Sequence, residues 1–346
     1  MRNHHVTLKD VAAHCGVSAM TVSRVLRGEK YVSDRVRRTV EAAARELAYQ
    51  ADPMLSALSE HRRRLGTRKS YSKIGIINAW PQNRDWLTGT SPGKILYQGV
   101  RRRSAELGFD TEIFYLELSG GKITHLLEML HARGITGLLL LPLPFPVPEA
   151  FTRRIEDWKK FVMVAVEHGF GYPNCNYVWT DQFASACMLW DELWQRGYRR
   201  IGLELNAEHA QRSHGLWEAA YLLKQNQANL AATAKLPVFK SEVTQRAEFL
   251  KWFHRHKPDA IMGKTLQILD WVREEGLEVP GRFGFASFDC HFESGAVAGI
   301  LQRREEIGET AVSFLFRLLQ ERKYGETTCD RGIHIAGSWQ DGPTVR

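Results

Sequence analysis

Residues 6–58 read VTLKDVAAHCGVSAMTVSRVLRGEKYVSDRVRRTVEAAARELAYQADPMLSAL, and this stretch decides the fold of the amino-terminal region. Thr7 begins a capping-box pattern, in which a side-chain oxygen satisfies N–H groups at the start of a helix. Gly16 predicts the end of that first helix, and Ser18 can cap a second helix over residues 19–27. The pattern therefore predicts two short helices joined by a tight turn.

A third helix is expected to begin at Ser33. Its apolar residues recur at helical spacing on one face, and they are Val36, Val40, Ala43 and Leu47. Two short helices that are braced by a third one form a helix-turn-helix, which places its second helix in the major groove of DNA. The alternative is a small three-helix bundle with a solvated basic face.

The charge distribution favours DNA binding. Residues 1–70 contain 14 Lys and Arg against 7 Asp and Glu, whereas the other 276 residues contain 33 against 32. Almost the whole net charge of +8 therefore lies in one fifth of the chain. Phosphate neutralisation with release of counterions requires such a concentration of positive charge.

These residues resemble the head of the LacI/GalR family of bacterial transcription regulators. The matching segments follow the family pattern in register without a gap, and they are Val6–Ala12, Gly16–Ser18, Thr21–Leu26, Val32–Ser33, Val40–Ala43 and Leu47–Tyr49. The resemblance implies a sequence-specific DNA-binding domain over residues 1–50.

The resemblance also implies roles for single residues. Ala19 and Met20 occupy the two variable base-reading positions of the recognition helix, and without polar heads they would read thymine methyl groups or shape. Met20 could instead fill the core of the head. The other candidates for contacts with phosphates or base edges are Thr7, Leu8, Ser18, Thr21, Ser23, Arg24, Arg27, Tyr31 and Ser33.

A hinge helix and a basic linker are expected over residues 51–70. Asp52 and Pro53 form a good helix start, but the segment is short and needs support from DNA and from a partner subunit. Leu58 occupies the family position that wedges a leucine into the minor groove. The usual proline of the family is replaced by Ala51, so the register of the hinge is less well defined than the head.

Residues 71–346 alternate between apolar strands and helices. Continuous apolar runs such as Ile74–Ile77, Gly137–Leu141 and Phe161–Val166 predict parallel sheets that are covered on both faces. A segment of this length is expected to form two lobes, and ligands of such folds bind at the carboxyl ends of the strands.

This region is similar to the sensor domain of the same family, which has the two-lobed α/β fold of type I periplasmic binding proteins. The resemblance implies an N-lobe of about 71–193 and 303–336 and a C-lobe of about 194–302 and 337–346. The chain would cross between lobes near 192–195, 302–305 and 335–338. The best landmarks are Val178–Asp181, Gly197–Ile201, Arg212–Gly215, Gly276–Pro280 and Phe288–Asp289.

By the same correspondence, Arg212 and Asp289 are the main candidates for effector binding. A guanidinium and a carboxylate can bridge vicinal hydroxyls or clamp an anionic group. Asp181 aligns with a cleft position but could equally be a helix cap. Trp80 and Trp86 could cover a ligand ring or could be core or dimer surface. Lys264 departs from the Asn-Asp that relatives carry.

Other chemistry is not supported by the sequence. The Gly-Lys-Thr at residues 263–265 lacks the first glycine of a phosphate loop. The five cysteines are scattered, which fits reduced thiols better than disulfides or zinc. We expect no metal, no cofactor and no catalytic residues. Neither an export signal nor an apolar run that is long enough for a membrane is evident.

The sequence therefore predicts a cytoplasmic, nucleoid-associated repressor that is controlled by a small molecule, by default a sugar or sugar derivative. Its expected partners are a pseudo-palindromic duplex operator and a second copy of the chain, as a dimer or a dimer of dimers. A regulator that responds to a nucleobase, a nucleoside or a sugar phosphate is the alternative. A periplasmic solute-binding protein would have an export signal, and a Rossmann-type enzyme would have a glycine-rich turn instead of Asn78–Pro81.

Overall fold

The computed structural model describes residues 8–26, 33–47, 72–81, 87, 92–117, 122–144, 156–167, 173–231, 234–290 and 295–346. The chain divides into two compact units, residues 1–70 and residues 71–346. The described part of the first unit is helical, and the second unit contains two sheets with covering helices.

Three short helices form the described part of the first unit. They are α1 (Leu8–Cys15), α2 (Ala19–Leu26) and α3 (Asp34–Glu46). Helix α1 ends at Gly16, which has φ +67°, and the Val17 N–H donates to the Ala12 carbonyl at 3.2 Å. A glycine adopts this left-handed conformation without a steric penalty, so the predicted tight turn between α1 and α2 is confirmed.

The core of this unit takes one apolar face from each helix. Val11, Val22 and Val40 are completely buried, one in each of the three helices. The predicted stripe of α3 is confirmed, since Ala43 is also buried and Val36 and Leu47 pack against the same cluster. These short helices are therefore stabilised by packing on one another, as marginal isolated helices require.

The second unit consists of two lobes, and each lobe is built on a six-stranded sheet. The first lobe contains the strands β1 (Ser72–Asn78), β2 (Phe109–Tyr115), β3 (Gly137–Leu140), β4 (Val162–Val166), β5 (Asn176–Thr180) and β11 (Gly332–Ile335). Their order in the sheet is β11-β5-β4-β3-β1-β2, and every neighbouring pair is parallel.

Both faces of this sheet are covered. Helices α4 (Pro92–Glu106) and α11 (Arg304–Gln320) pack on the face that contains Ile76, whereas α5 (Ile123–Ala132) packs on the face that contains Ile77. Successive residues of a strand point to opposite faces, so both faces need apolar residues. This explains the continuous apolar runs, and the prediction of a covered parallel sheet is confirmed.

The second lobe has the same architecture with one antiparallel edge strand. Its strands are β6 (Ile201–Asn206), β7 (Phe239–Ser241), β8 (Ala260–Gly263), β9 (Gly284–Ser287), β10 (Ala298–Leu301) and β12 (Ser338–Gln340), in the order β12-β10-β9-β8-β6-β7. Only the pair of β10 and β12 is antiparallel among the recorded pairs of this sheet. Its helices are α6 (Gln182–Gln195), α7 (Ala207–Arg212), α8 (Leu216–Gln227), α9 (Arg246–His256) and α10 (Gln267–Glu274).

The first crossing between the lobes lies earlier in the chain than expected. Helix α6 buries Leu189 and Trp190 in the core of the second lobe. The chain therefore leaves the first lobe at Asp181, between β5 and α6. The expected crossing near 192–195 and the expected N-lobe end at 193 are wrong, because the apolar face of α6 is complementary to the second sheet.

The two later crossings are short. The chain returns to the first lobe at residues 302–303, between β10 and α11, and passes back at residues 336–337, between β11 and β12. The three connections therefore lie side by side between the lobes. Residues that flank them can form contacts from one lobe to the other.

Candidate DNA-reading surface and effector cleft

The start of α2 presents hydroxyl groups on the surface of the first unit. Ser18 Oγ accepts from the Thr21 N–H at 3.1 Å, which confirms the predicted cap, and it lies 2.9 Å from Thr21 Oγ1. Both contacts are exposed. The amino-terminal turn of α2 therefore offers the short polar groups that fix the register of a helix on DNA.

The two candidate base-reading residues differ in exposure. The Met20 side chain is 65% exposed, so it does not fill the core of the head. Ala19 is half-buried and packs against that core. Of the two, Met20 is therefore the side chain that the fold presents fully to a partner.

The other candidates on the head differ in how much of them the structure describes. Arg24 is exposed on α2, and Ser33 is exposed at the start of α3, where its side chain forms no capping hydrogen bond. Leu8 and Ser23 lie in α1 and α2, but their side chains lie outside the described part of the structure. The remaining candidates lie outside the described residues altogether: Thr7, Arg27, Tyr31 and Leu58.

The candidate effector residues lie at the carboxyl ends of strands in both lobes. Trp80 follows β1, and Asp181 follows β5. In the second lobe, Arg212 ends the helix after β6, Lys264 directly follows β8, and Asp289 is the second residue after β9. Trp86 lies outside the described residues. The strand ends of parallel sheets are the usual position of ligand sites in such folds.

Arg212 connects the two lobes. Its Nη2 atom donates to the Leu143 carbonyl at 2.9 Å, and Nη1 lies 3.4 Å from Glu167 Oε2. Both partners lie at strand ends of the first lobe. Within its own lobe, Nε donates to Glu208 Oε1 at 2.8 Å. The strand ends of the two lobes therefore face each other across the space that Arg212 bridges, which we call the cleft.

Trp80 faces the same guanidinium from the first lobe. The Arg212 Cζ atom lies 6.0 Å from the centre of the Trp80 ring, which is within the range of a cation–π contact. The indole Nε1 donates to the Pro142 carbonyl at 2.6 Å, and the main-chain N–H donates to Asn78 Oδ1 at 3.0 Å. These bonds fix the ring on the wall of the cleft.

Asp289 is held by an arginine that the sequence did not single out. Arg304, the first residue of α11, donates to both carboxylate oxygens, at 3.0 and 2.6 Å. The side chains of the pair are 9% and 1% exposed. Lys264 Nζ lies 3.7 Å from the same carboxylate. The pair joins the lobes beside the second crossing.

Gln302 extends this contact between the lobes. Its side-chain oxygen accepts from Arg304 at 3.0 Å, and its nitrogen donates to the Phe288 carbonyl at 3.2 Å. Thr180 of the first lobe donates to the same side-chain oxygen at 3.4 Å. The only sequence signal for this network is the position of residues 302–304 in an expected crossing.

Glu204 is a buried carboxylate whose partners are uncharged donors. It accepts from the hydroxyl groups of Thr244 and Thr265 at 2.5 and 2.9 Å. The main-chain N–H groups of Lys264 and Thr265 also donate to it, at 3.0 and 3.4 Å. Glu204 is completely buried and therefore fixes the backbone that carries Lys264.

His209 lies in α7 of the second lobe, and nothing in the sequence pointed to it. Burial, together with the positive charges of Lys264 and Arg212, lowers the pKa of His209 to about 3. Its Nδ1 atom is buried and has no hydrogen-bond partner among the described residues. Such an unsatisfied polar atom is uncommon in a protein interior and points to a ligand or water.

Asp181 acts as the amino-terminal cap of α6. Its Oδ1 atom accepts from the Ala184 N–H at 2.8 Å, and its own N–H donates to the Ile335 carbonyl at 2.9 Å. The structure thus shows the capping role that the sequence left open. A contact with an effector remains a prediction.

The described residues show no sign of metal or disulfide chemistry. Within the described ranges, no group of three or more His, Cys, Asp or Glu side chains could hold a metal ion. All five cysteines are free, and burial raises the pKa of Cys290, next to Asp289, to about 11. No described helix has the length and apolarity that crossing a membrane requires.

Two family profiles match the two units. The profile described as bacterial regulatory proteins, lacI family, matches residues 7–52. The profile described as a periplasmic binding protein-like domain matches residues 190–330. The repressor PurR of Yersinia enterocolitica serotype O:8 / biotype 1B is 23% identical over 334 residues, which cover 93% of each chain.

Solved structures with this fold include two that cover nearly the whole chain. The transcriptional regulator CelR in complex with cellobiose has a TM-score of 0.59 and 20% identity, and the match covers 98% of this chain and 99% of that one. The Lac repressor bound to ONPG has a TM-score of 0.58 and 19% identity, with 99% and 100% covered.

The fold and the two candidate sites define a protein with a helix-turn-helix head and a two-lobed binding domain. The chain belongs to the LacI/GalR family of bacterial transcription regulators. It is a DNA-binding regulator with an effector-binding sensor domain.

Proposed function

We propose that this protein is a cytoplasmic, nucleoid-associated repressor whose affinity for its operator is set by a small molecule between the two lobes. The observation that carries the proposal is the exposed start of α2 in a strongly basic unit, on a chain whose larger part has two lobes that Arg212 joins. A basic surface supplies affinity for phosphates, and the exposed helix supplies contacts with bases.

The operator is a pseudo-palindrome that two heads of a homodimer or a dimer of dimers read together. A protein with two-fold symmetry requires a site with the same symmetry. On the head, we assign base reading to Met20 with Ala19, and register to Ser18, Thr21 and Arg24. Leu58 of the hinge is assigned to the minor groove by the resemblance alone.

The effector binds where Arg212 and Trp80 of opposite lobes meet, with Lys264, Asp289 and Asp181 at neighbouring strand ends. A ligand that changes the contacts of Arg212 changes how the lobes are held together. Such a coupling is typically worth about 1–3 kcal/mol of operator affinity. A sugar or sugar derivative is the proposed class, and a nucleobase or nucleoside is the second candidate. We assign no catalytic step to the cleft.

The test is selection of random duplexes by the full-length protein at two salt concentrations. We expect enrichment of one pseudo-palindrome, with an affinity that falls steeply as salt rises. Met20→Gln should change the preferred base in each half-site, because glutamine reads adenine and discrimination is worth about 1–3 kcal/mol. Met129→Gln, at an exposed methionine of α5, is the matched control. Failure to enrich any sequence contradicts the proposed function.

A further inference from the structure

The carboxylate of Asp289 already has a bidentate hydrogen-bond partner in the structure. Each of its oxygens accepts from Arg304, and the pair is almost completely buried. A carboxylate that binds vicinal hydroxyls of a neutral sugar has to offer its oxygens to those hydroxyls. In this protein Arg304 holds both oxygens and the Asp289 side chain is 1% exposed, so little of the carboxylate is open to the hydroxyls of a polyol.

Lys264 is the second cation near the Asp289 carboxylate, and it is farther from it than Arg304. Its ammonium lies 3.7 Å from Asp289 Oδ2, which is beyond hydrogen-bond distance, and the carboxylate already has a bidentate partner. The Lys264 side chain is 33% exposed. Its backbone is fixed through Glu204. A positive charge is therefore held at the end of β8 with a weakly engaged head group.

His209 is a half-buried neighbour of Lys264 and Arg212 in the second lobe. Burial is the main cause that lowers its pKa, and the positive charges of Lys264 and Arg212 act in the same direction. The buried Nδ1 atom of His209 adds a polar group that has no partner in the described structure. The ring packs near Trp217, with 6.1 Å between centroids. His209 therefore lies within electrostatic range of both Lys264 and Arg212.

We propose that the effector carries a carboxylate or phosphate group, which binds to Lys264 and is oriented by His209, with Arg212 closing the site from its position between the lobes. This inference rests on the proposed function, since it assigns a chemical class to the effector of the same cleft. Sugar acids and sugar phosphates share the required anion, whereas neutral sugars and neutral purine bases lack it.

The experiment is a thermal-shift comparison on the full-length protein. The probes are glucose, glucuronate, glucose 6-phosphate, adenine, citrate and inorganic phosphate at millimolar concentration, with ionic strength matched by NaCl. We expect at least one of the anionic compounds to raise Tm by roughly 2 °C or more. Carboxylates and phosphates form separate arms, which distinguish the two sources of the anion.

Substitutions of Lys264 test the residue assignment. Lys264→Gln should abolish the shift by the anion, measured from the Tm of the unliganded variant. Lys264→Arg should keep most of it, because the charge is retained. Lys251→Gln removes an exposed lysine of α9 in the same lobe and should keep the full shift. An equal shift in Lys264→Gln and the wild type overturns the proposal.

The remaining outcomes are also decisive. Stabilisation by glucose or adenine alone overturns the proposal, as does the absence of any shift by the four anions. Duplex selection on the same preparation separates this inference from the proposed function. If an operator is enriched and only neutral compounds stabilise the protein, only the anion assignment fails. If an anion stabilises the protein and no duplex is enriched, only the regulatory function fails.

Discussion

The two ends of the cleft hold the lobes together in different ways. At one end, Arg304 and Asp289 form a bidentate pair with side chains only 9% and 1% exposed. At the other end, Arg212 reaches Glu167 at 3.4 Å, and these side chains are 26% and 37% exposed. The first contact can support the hinge permanently, whereas a ligand can replace the second contact.

The difference follows from desolvation. Removing one partner from a buried pair leaves a charge without compensation, which is strongly destabilising. Removing one partner from a half-exposed pair returns the other to water at little cost. The Asp289 end therefore contributes more to stability, whereas the Arg212 end can respond to a ligand, and substitutions at both ends test this difference.

The largest effect is expected for Arg304→Met. The substitution removes the bidentate partner of the buried Asp289 carboxylate, and we expect the free energy of unfolding to fall by about 3–5 kcal/mol. Urea unfolding of the full-length protein measures it. Arg303→Met is the matched control, because Arg303 is 53% exposed and its change should stay below about 1 kcal/mol.

A second variant keeps this prediction informative if Arg304→Met does not fold. The double variant Arg304→Met/Asp289→Leu removes both charges and should recover most of the lost stability, because the desolvation penalty of the pair disappears with them. Equal stability of Arg304→Met and Arg303→Met would show that the Asp289 end does not behave as a buried pair.

An intermediate effect is expected for His209, which lies beside cations of both ends. Since its folded pKa of about 3 is below the ordinary 6.5, the unfolded chain binds a proton that the folded protein does not. Stability therefore falls as pH drops below about 6.5, by about 2 kcal/mol at about pH 5.

His209→Gln removes this titration and should flatten the fall in stability between about pH 7 and about pH 5 by that amount. Urea unfolding at the two pH values measures the difference. His125→Gln is the control, since the His125 side chain on α5 is 77% exposed. A variant with the same pH dependence as the wild type would mean that folding does not lower the pKa of His209.

The sequence predicts features that depend on neighbouring residues. The cap at Ser18, the turn at Gly16 and the stripe of α3 are properties of a few consecutive positions, and the structure confirms them. The parallel sheets follow from apolar runs for the same reason. The crossing at Asp181 was missed, because the choice of sheet for α6 depends on residues far away in the chain.

The cleft shows the same limit. The strand ends predict where Arg212, Lys264 and Asp289 lie, but not what they contact. Arg304 comes from α11, and its pairing with Asp289 requires two lobes to be assembled. The burial of His209 likewise depends on Trp217 and on cations from other elements. The sequence therefore predicted where these residues lie, but not which residues they contact.

The smallest effect is expected for Glu167→Gln. Glu167 and Arg212 are both partly exposed, so the free energy of unfolding should change by less than about 1 kcal/mol. Arg212 also keeps its bonds to Glu208 and to the Leu143 carbonyl, so a single substitution does not isolate the pair. A double-mutant cycle of Glu167→Gln with Arg212→Gln does so, and we expect a coupling of about 0.2–1 kcal/mol.

The same cycle on Arg304→Met and Asp289→Leu should give a coupling several times larger, since there the partner is buried. High salt provides an independent check. It should weaken the Glu167 coupling, because partly exposed charges are screened, and leave the Asp289 coupling nearly unchanged. Equal couplings with equal salt dependence would remove the distinction between the two ends, and with it the reason to place the responsive contact at Arg212.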